Sequence, residues 1–252
     1  CRSYNSAAVI ELSRRKGRDA KPFTVMAGSL AKAKEIAAIT SLEEDMLTSS
    51  VAPIMLLNKN GGYNLATEVT HGNPTVGIML PYAPVHRLLL SADDVWVMTS
   101  GNRGDEPIGY EDETAKREMA HIADYFLAHN RRIFRRADDS VIRTVNDKPM
   151  IIRRSRGLVP LPLAIPQAQK ELLAVGGELK NTFCLTGSGQ AFIGPHIGDL
   201  KNMSTYQSFT QAIEDWQRFF ALKPQMVVHD LHPEYLSTKF ALGLPLPRLA
   251  VQ

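Results

Sequence analysis

The sequence predicts an α/β protein in which short strands alternate with helices and pack as a sandwich. Short apolar runs of strand character recur between segments of helical spacing, and polar glycine-containing turns separate them. A stretch with three prolines, residues 157–166, divides the chain of 252 residues into two parts. Prolines at that density are incompatible with a helix or a central strand, so we expect an extended connector there.

The elements of each part follow from apolar spacing and capping residues. In the first part we expect helices over 5–16, 29–39 (capped by Ser29), 86–90 and 112–123. We expect strands at 23–26, 54–57, 76–80, 95–98, 125–127, 140–143 and 150–153. In the second part we expect strands at 172–175, 181–185, 190–194 and 226–228, and a helix over 204–220. These elements of the second part are too few for a complete lobe.

Composition and charge exclude several classes of protein. With 44% hydrophobic and 22% charged residues the chain is neither disordered nor fibrous, and no apolar run is long enough to span a bilayer. No secretory signal is recognisable, and two distant cysteines, Cys1 and Cys184, indicate a reducing, cytoplasmic setting. The start at Cys1 and the end inside an apolar run lead us to expect a fragment of a longer polypeptide.

The net charge of +3 is weak for a protein that binds duplex nucleic acid. The positive charge is concentrated in three clusters, at 14–21, 131–136 and 153–156. Clustered arginine and lysine on a balanced surface suit a compact anion such as a nucleotide phosphate. We therefore expect a small phosphorylated ligand.

Two motifs of the first part follow regular elements. Lys16 and Arg18, separated by a glycine, can converge on one phosphate where the chain leaves the helix, or can simply be solvated at the helix C-terminus. Ser100 and Asn102, in the polar loop 99–104 after a buried strand, can offer a hydroxyl and an amide to a phosphate, or can form an ordinary turn. Both alternatives remain open on spacing alone.

Two further clusters lie later in the first part. Asp138 and Asp139, beside the arginines of 135–136, can hold Mg²⁺ or form salt bridges, and we favour salt bridges. Ser140 is the better ligand candidate there. The cluster 153–157, which contains Arg154, is a basic strand end that can face the same pocket.

The second part contains a glycine hairpin at 176–182. Its backbone amides, together with the side chains of Lys180 and Thr182, can surround a phosphate, although the spacing of a Walker loop is missing. A tight structural hairpin explains the glycines equally well. For the histidines at 196, 229 and 232 we expect hydrogen-bonded structural roles, because no third metal ligand is clearly placed.

Several of these motifs carry a family resemblance. Lys16–Arg18, Ser100–Asn102 and Asp139–Val141 resemble the K-x-R, S-x-N and serine motifs of the YrdC-like acyl-adenylate synthases. Longer stretches resemble, in order and over essentially the whole chain, the HypF family of carbamoyltransferases, which help to mature nickel–iron hydrogenases. These stretches are 15–23, 77–82, 153–157, 176–185, 196–200 and 230–237.

The resemblance implies a fold and its limits. Residues 1–157 would form a YrdC-like α/β sandwich with a mixed twisted sheet, lacking its N-terminal part, and 158–170 a proline-rich linker. Residues 171–252 would form the first part of an actin-like, ribonuclease H-like α/β lobe, truncated at its C-terminus. Such a fragment would keep part of an adenylate pocket without completing the reaction pathway alone.

The resemblance also implies a chemistry. Carbamoyl phosphate is cleaved to carbamate, ATP and Mg²⁺ convert carbamate to carbamoyl-adenylate, and the carbamoyl group passes to the C-terminal cysteine of HypE. The residues implied for ATP and carbamoyl-adenylate binding are Lys16, Arg18, Ser100, Asn102, Ser140 and, assisting, Arg154. The residues implied for nucleotide binding in the second domain are Lys180, Asn181 and Thr182. Zinc or iron would belong to parts of the full-length protein outside this chain.

Two alternatives remain. A threonylcarbamoyl-adenylate synthase of tRNA modification shares the first motifs but lacks the stretches at 176–185 and 230–237. An RNA-binding YrdC-like module is permitted by the basic clusters, so weak RNA binding stays open. Two observations argue against RNA binding: the net charge is only +3, and we expect that no pattern of aromatic residues is exposed.

Overall fold

The structure is a computed structural model that describes residues 1–18, 21–102 and 106–252. Two residues of the first basic motif, Asp19 and Ala20, and two of the glycine loop, Arg103 and Gly104, lie outside the described residues. The described chain divides into two compact units. One contains residues 1–102 and 108–157, and the other contains residues 106–107 and 158–252.

The described part of the first unit contains six helices. They are α1 (Ser6–Lys16), α2 (Leu30–Ile36), α3 (Ser41–Thr48), α4 (Thr67–Thr70), α5 (Pro84–Leu89) and α6 (Asp112–Met119). Asn5 caps α1 by accepting a hydrogen bond from the amide of Ala8, and Gly17 ends it in the left-handed conformation. Ser29 caps α2 as predicted, and Thr40 caps α3.

Six strands form the sheet of the first unit. They are β1 (Thr24–Ala27), β2 (Ile54–Asn58), β3 (Thr75–Met79), β4 (Val95–Met98), β5 (Val141–Val145) and β6 (Lys148–Arg153). Their order across the sheet is β4-β1-β3-β2-β5-β6. β1 runs parallel to β3 and β2 parallel to β5, whereas the other neighbours are antiparallel. The predicted α/β class with a mixed sheet is confirmed.

The central strands of this sheet are buried on both faces. The consecutive residues Val25 and Met26 of β1 are fully buried. The consecutive residues Ile78 and Met79 of β3 are at most 2% exposed. Consecutive buried residues point to opposite faces, so both faces are covered. A polar ligand therefore has access to the strand ends and their loops rather than to the faces of the sheet.

The second unit combines a mixed sheet with two helices. Its elements are β7 (Leu163–Ala164), β8 (Leu172–Ala174), β9 (Cys184–Gly187), β10 (Gln190–Ile193), α7 (Met203–Phe220), β11 (Met226–Asp230), α8 (Leu236–Gly243) and β12 (Arg248–Val251). The strand order is β12-β11-β8-β9-β10-β7. β8, β11 and β12 are parallel, and the hairpins on the other side of β8 are antiparallel.

The core of the second unit is built largely from aromatic rings. Phe183 meets Trp216 of α7 edge to face, with ring centroids 5.6 Å apart, and Phe209 meets Phe240 of α8 at 5.2 Å. Such offset contacts add to the free energy gained by burying the rings. Leucine, valine and isoleucine complete the cluster, at Leu173, Val175, Leu185, Leu200, Ile213 and Val227.

The structure differs from the predicted elements at several places. The strand predicted at 125–127 is wrong: this stretch pairs with no strand, and Tyr125 is 93% exposed. Aromatic residues favour strands only when a partner strand is available, and here none lies beside them. α3, α4 and α8 were not predicted, because their apolar residues show no clear helical period. The two residues of β7 lie within the proline-rich stretch and pair with the outer strand β10.

Candidate functional site

The first candidate residue, Lys16, lies at the end of α1. Gly17 follows with a φ of 57° and its amide donates to the carbonyl of Arg14, so the chain turns sharply out of the helix. The amide of Arg18 then donates to the carbonyl of Ser13. This C-cap fixes the direction in which Lys16 leaves the helix, as a left-handed glycine commonly does.

The ammonium group of Lys16 is buried against the loop that follows β4. Its Nζ atom donates to the carbonyl oxygens of Ser100 at 2.6 Å and Asn102 at 2.8 Å, and it lies 3.3 Å from Oδ1 of Asn102. The residue is 4% exposed. Burial, and secondarily the charge of Arg18, lower the pKa of Lys16 to about 8. The structure thus brings three predicted residues, Lys16, Ser100 and Asn102, into one cluster.

Arg18 directly follows the C-cap of α1, in the stretch of chain between α1 and β1. Its guanidinium donates from Nη2 to the carbonyl of Pro22 at 2.8 Å and stands 5.2 Å from the centre of the Phe23 ring. Its positive charge is the secondary cause of the lowered pKa of Lys16, after burial. Two cations two residues apart at the end of a helix are a suitable arrangement for an anion when the chain turns away there.

Ser140 occupies a different environment from the one that the sequence suggested. Its side chain is fully buried, and its hydroxyl donates to the carbonyl of Arg156 at 2.9 Å and accepts from the amide of Ser155 at 2.9 Å. The hydroxyl is therefore used within the protein, where it joins the chain before β5 to the chain after β6. Its predicted role as a direct ligand stays a prediction.

The aspartates next to Ser140 form salt bridges, as predicted, but the partners in these bridges are Arg153 and Arg156 and not the neighbouring arginines from which the prediction was made. Asp139 binds Arg156, with Nη2 to Oδ1 at 2.7 Å, and Asp138 lies 3.8 Å from Nη1 of Arg153. Both carboxylates face guanidinium groups of the cluster 153–156, which is distant in sequence. A carboxylate engaged in this way is a poor ligand for Mg²⁺, so these residues do not fit a metal site.

Arg154 belongs to the same strand end. It is partly buried, and burial lowers the pKa of its guanidinium. The neighbouring Ser155 is fully buried. Arg154 is thus attached to a backbone segment that is anchored by the hydrogen bonds of Ser140.

The glycine hairpin of the second unit is held by its own polar side chains. The side-chain Nδ2 atom of Asn181 donates to the carbonyls of Val175 and Gly177, and the hydroxyl of Thr182 donates to the carbonyl of Gly194. The hairpin is also tight at Gly176, where a Cβ atom would lie 2.2 Å from the carbonyl oxygen of Thr182. Asn181 is 2% exposed, so its side chain shapes the hairpin from inside.

Lys180, by contrast, projects from this hairpin. Its backbone has a φ of 48°, and its amide donates to Oδ1 of Asp199 at 2.7 Å. The residue itself is exposed. Among the three residues predicted in this hairpin, Lys180 is the one whose side chain is open to solvent.

Two histidines have structural contacts, as predicted. Nδ1 of His229 lies 2.8 Å from the carbonyl oxygen of Asp230, and the ring of His232 stacks on Tyr235 at 4.2 Å. Across the described ranges, no three residues of the types histidine, cysteine, aspartate and glutamate come together as a metal site would require. No helix of the described residues is long and apolar enough to cross a membrane.

One expectation about exposed aromatic residues is wrong. The segment between α6 and β5 exposes Tyr125, Phe126 and Phe134, and Phe134 lies between two pairs of arginines, 131–132 and 135–136. A pocket of about 350 Å³ lies in the same region, lined in part by Tyr110, His129 and Arg131. The rings are exposed because the segment forms no helix or strand that could bury one side of it. The low net charge of +3 is therefore the remaining observation against RNA binding.

Sequence reasoning missed two residues that organise the strand end, Arg156 and Tyr82. The guanidinium of Arg156 lies 3.5 Å from the centre of the Tyr82 ring. The basic cluster 153–157 was visible, but the choice of Arg154 within it could not anticipate which arginine turns inward. That depends on the pairing of β5 with β6, which contains a bulge at Val141.

Comparison with protein families defines the class to which these two units belong. The family model of Sua5, YciO and YrdC proteins, described as "Telomere recombination", matches residues 1–155. A second model, described as the HypF Kae1-like domain, matches residues 167–252. The chain therefore joins a YrdC-type domain to a Kae1-like segment.

Individual relatives specify the family. The chain is 41% identical to carbamoyltransferase HypF of Synechocystis sp. and 38% identical to carbamoyltransferase HypF2 of Cupriavidus necator. Both alignments cover 100% of this chain but only 33% and 34% of the relatives, so the chain spans about a third of their length. The chain belongs to the HypF carbamoyltransferase family.

Solved structures agree with this assignment. Full-length HypF in a phosphate- and nucleotide-bound form has a TM-score of 0.95 and 42% identity, with 100% of this chain and 40% of that chain covered. HypF of T. kodakarensis has a TM-score of 0.94 and 39% identity, with 100% and 34% covered. Sua5 of P. abyssi, complexed with L-threonine, has a TM-score of 0.55 at 13% identity and shares the fold alone.

Proposed function

We propose that this chain is the part of a cytoplasmic carbamoyltransferase that forms carbamoyl-adenylate from ATP and carbamate, the carbamate being derived from carbamoyl phosphate. The observation that carries the proposal is the identity of 34–42% to HypF proteins along the chain. The cluster of Lys16 with Ser100 and Asn102 supports it, because a buried cation with fixed polar groups is suited to a nucleotide.

The reaction that we propose is an adenylation. A carbamate oxygen attacks the α-phosphorus of ATP, a new phosphorus–oxygen bond forms, and pyrophosphate leaves with the electron pair of the broken bond. Negative charge accumulates on the α-phosphoryl group and on pyrophosphate, so nearby cations stabilise the transition state. Mg²⁺ bound to ATP would neutralise part of this charge.

Each residue has a distinct part in this proposal. Lys16 holds the loop of Ser100 and Asn102 in place, and Arg18 offers its charge to the phosphates. Ser140 holds the strand end that carries Arg154, whose guanidinium assists in binding the adenylate. In the second unit the exposed Lys180, on the hairpin shaped by Asn181 and Thr182, would bind a second nucleotide. The carbamoyl group would then pass to the C-terminal cysteine of HypE, with release of AMP.

The experiment that tests the adenylation is isotope exchange between pyrophosphate and ATP. We expect this exchange to require carbamoyl phosphate together with an activity that cleaves it to carbamate. We expect the exchange to be abolished in Lys16→Ala. L-threonine with bicarbonate is the matched control, because it would support exchange by a threonylcarbamoyl-adenylate synthase. Exchange that depends on threonine, or no exchange with either substrate, would contradict the proposal.

A further inference from the structure

The side chain of Arg156 contacts three other segments of the first unit. Its Nε and Nη2 atoms lie 2.8 and 2.7 Å from Oδ1 of Asp139. Nη1 donates to the carbonyl of Val51 at 3.2 Å, and Nη2 donates to that of Ala52 at 2.9 Å. The guanidinium also covers the ring of Tyr82, 3.5 Å from its centre. Its polar contacts and its stacking face are thus all directed to the protein.

The backbone of Arg156 closes the same region. Its amide donates to the carbonyl of Asp138 at 3.0 Å, and its carbonyl accepts from the hydroxyl of Ser140 at 2.9 Å. The amide of Ser155 donates to the same hydroxyl at 2.9 Å. Ser140 and Ser155 are both fully buried. Side chain and backbone of one residue therefore hold the segment 138–140 against the segment 154–156.

The loop of Val51 and Ala52, which the guanidinium of Arg156 contacts, has an unusual backbone conformation and lies very close to Gly157. Ala52 has a φ of 41°, in the region that residues with a side chain rarely adopt. Gly157 approaches so closely that a Cβ atom there would lie 2.4 Å from the carbonyl oxygen of Val51. The guanidinium of Arg156 binds the two carbonyls of this loop from the side. A planar group with several donors in fixed directions is needed for that, and a lysine ammonium does not provide it.

We propose that Arg156 is a positioning residue of the nucleotide site. It does not contact the nucleotide; it holds Ser140 and the backbone of residues 154–156, and so fixes where Arg154 points. This inference rests on the proposed function, because the site that it positions is the proposed adenylate site. The positioning itself, however, can be measured without any nucleotide.

The first measurement is hydrogen exchange at the amides of Ser155 and Arg156. In Arg156→Lys we expect their protection to fall about tenfold or more, the size expected when charge-assisted hydrogen bonds are lost. Arg143→Lys is the matched control, because Arg143 is an exposed arginine on the adjacent strand β5, and we expect unchanged protection there. Unchanged protection in Arg156→Lys would overturn the proposal.

The second measurement is the affinity for ATP with Mg²⁺ in Arg156→Lys, Ser140→Ala and the double variant. We expect each single change to weaken binding about tenfold and the double variant to be no weaker than the worse single one, because both open the same segment. If the two losses of affinity multiply in the double variant, the positioning role is overturned. It is also overturned if the affinity for ATP stays unchanged while the melting temperature falls. If the wild-type chain binds no ATP, the proposed function fails, and the role at a nucleotide site fails with it. The hydrogen-exchange measurement at Ser155 and Arg156 would then still establish whether Arg156 holds the strand end.

Discussion

At the scale of single residues, Lys16 shows how one buried cation organises a loop. Its ammonium group has three N–H donors, and the structure supplies three oxygen atoms around it, from Ser100 and Asn102. A buried charge without such partners would be costly. The loop is therefore oriented by Lys16 before any ligand arrives, which is the condition for efficient electrostatic stabilisation.

The lowered pKa of Lys16 leads to a prediction about stability and pH. The folded state holds this proton less tightly than the unfolded chain, because burial lowers the pKa from 10.5 to about 8. The unfolded chain therefore binds more protons between these two values, and the contribution of Lys16 to stability rises with pH across that window. We expect the free energy of unfolding of the wild type, relative to Lys16→Met, to increase from pH 8 to pH 10.5.

Chemical denaturation of the two proteins at several pH values checks this prediction. The difference between them removes the contributions of other lysines and tyrosines that titrate in the same range. A difference that is constant with pH would show that the pKa of Lys16 is the same in both states. Nuclear magnetic resonance of the lysine side chain should place its midpoint at about 8.

The cluster around Lys16 could be anticipated from sequence, but the contacts of Ser140 could not. Lys16, Ser100 and Asn102 each directly follow or end an element with a strong pattern, so their motifs point to a shared site. Ser140 looks like an accessible hydroxyl in the sequence, and only the pairing of distant segments buries it. The partner that buries it, Arg156, lies sixteen residues further along the chain.

At the scale of elements, the caps of helices and the tight turns fix the backbone that positions the residues of the site. Asn5 starts α1 by binding the amide of Ala8, and α1 delivers Lys16 at its other end. We expect Asn5→Ala to lower the free energy of unfolding by about 1 kcal/mol, because one amide of the first turn loses its partner. Asn5→Asp is the matched control and should retain most of the stability, since aspartate caps as well.

Thermal unfolding of both variants measures the effect. A loss in Asn5→Asp as large as that in Asn5→Ala would mean that the cap is not the source of the stability.

Gly157 leads to a second prediction at this scale. A Cβ atom there would lie 2.4 Å from the carbonyl oxygen of Val51, whereas at Gly72, which has a similar φ of 79°, nothing lies within 4 Å. We expect Gly72→Ala to cost about 1 kcal/mol for the left-handed backbone alone. Gly157→Ala should cost at least about 2 kcal/mol more, because the turn must also move away from Val51.

Denaturant unfolding compares these two glycine variants directly. Equal losses would show that the close approach of Gly157 to the loop of Val51 contributes nothing.

The elements themselves were predicted best where the apolar pattern is long. The helix predicted over 204–220 is α7, and the strand predicted at 95–98 is β4. The helices α3 and α8 were missed because their apolar residues follow the helical period only weakly, whereas α6, which is equally long, has a clear amphipathic pattern. The apolar run 125–127 indicated a strand by composition, although tertiary structure provides no partner for it.

At the scale of the whole molecule, each of the two units has its own sheet and its own buried residues. The chain also contains two tryptophans, Trp96 in β4 of the first unit and Trp216 in the core of the second. Each unit thus carries its own fluorescent reporter.

This arrangement leads to a prediction about Phe183. The ring is 1% exposed and contacts Trp216, so Phe183→Ala should destabilise the second unit by about 3–5 kcal/mol. In a Trp96→Phe background, the transition reported by Trp216 should shift to lower denaturant. In a Trp216→Phe background, the transition reported by Trp96 should stay close to that of the parent. An equal shift of both reporters would show that the two units unfold as one.

We propose that a nucleotide binds to the first unit at the cluster of Lys16, Ser100 and Asn102. The most direct test is calorimetric titration with ATP and Mg²⁺ of the wild-type chain, Lys16→Ala and, as a matched lysine control, Lys180→Ala. We expect the wild type to bind ATP, Lys16→Ala to lose this binding, and Lys180→Ala to retain it at the cluster of Lys16. Binding that is unchanged in Lys16→Ala and lost in Lys180→Ala would contradict the proposal and move the nucleotide to the hairpin of the second unit.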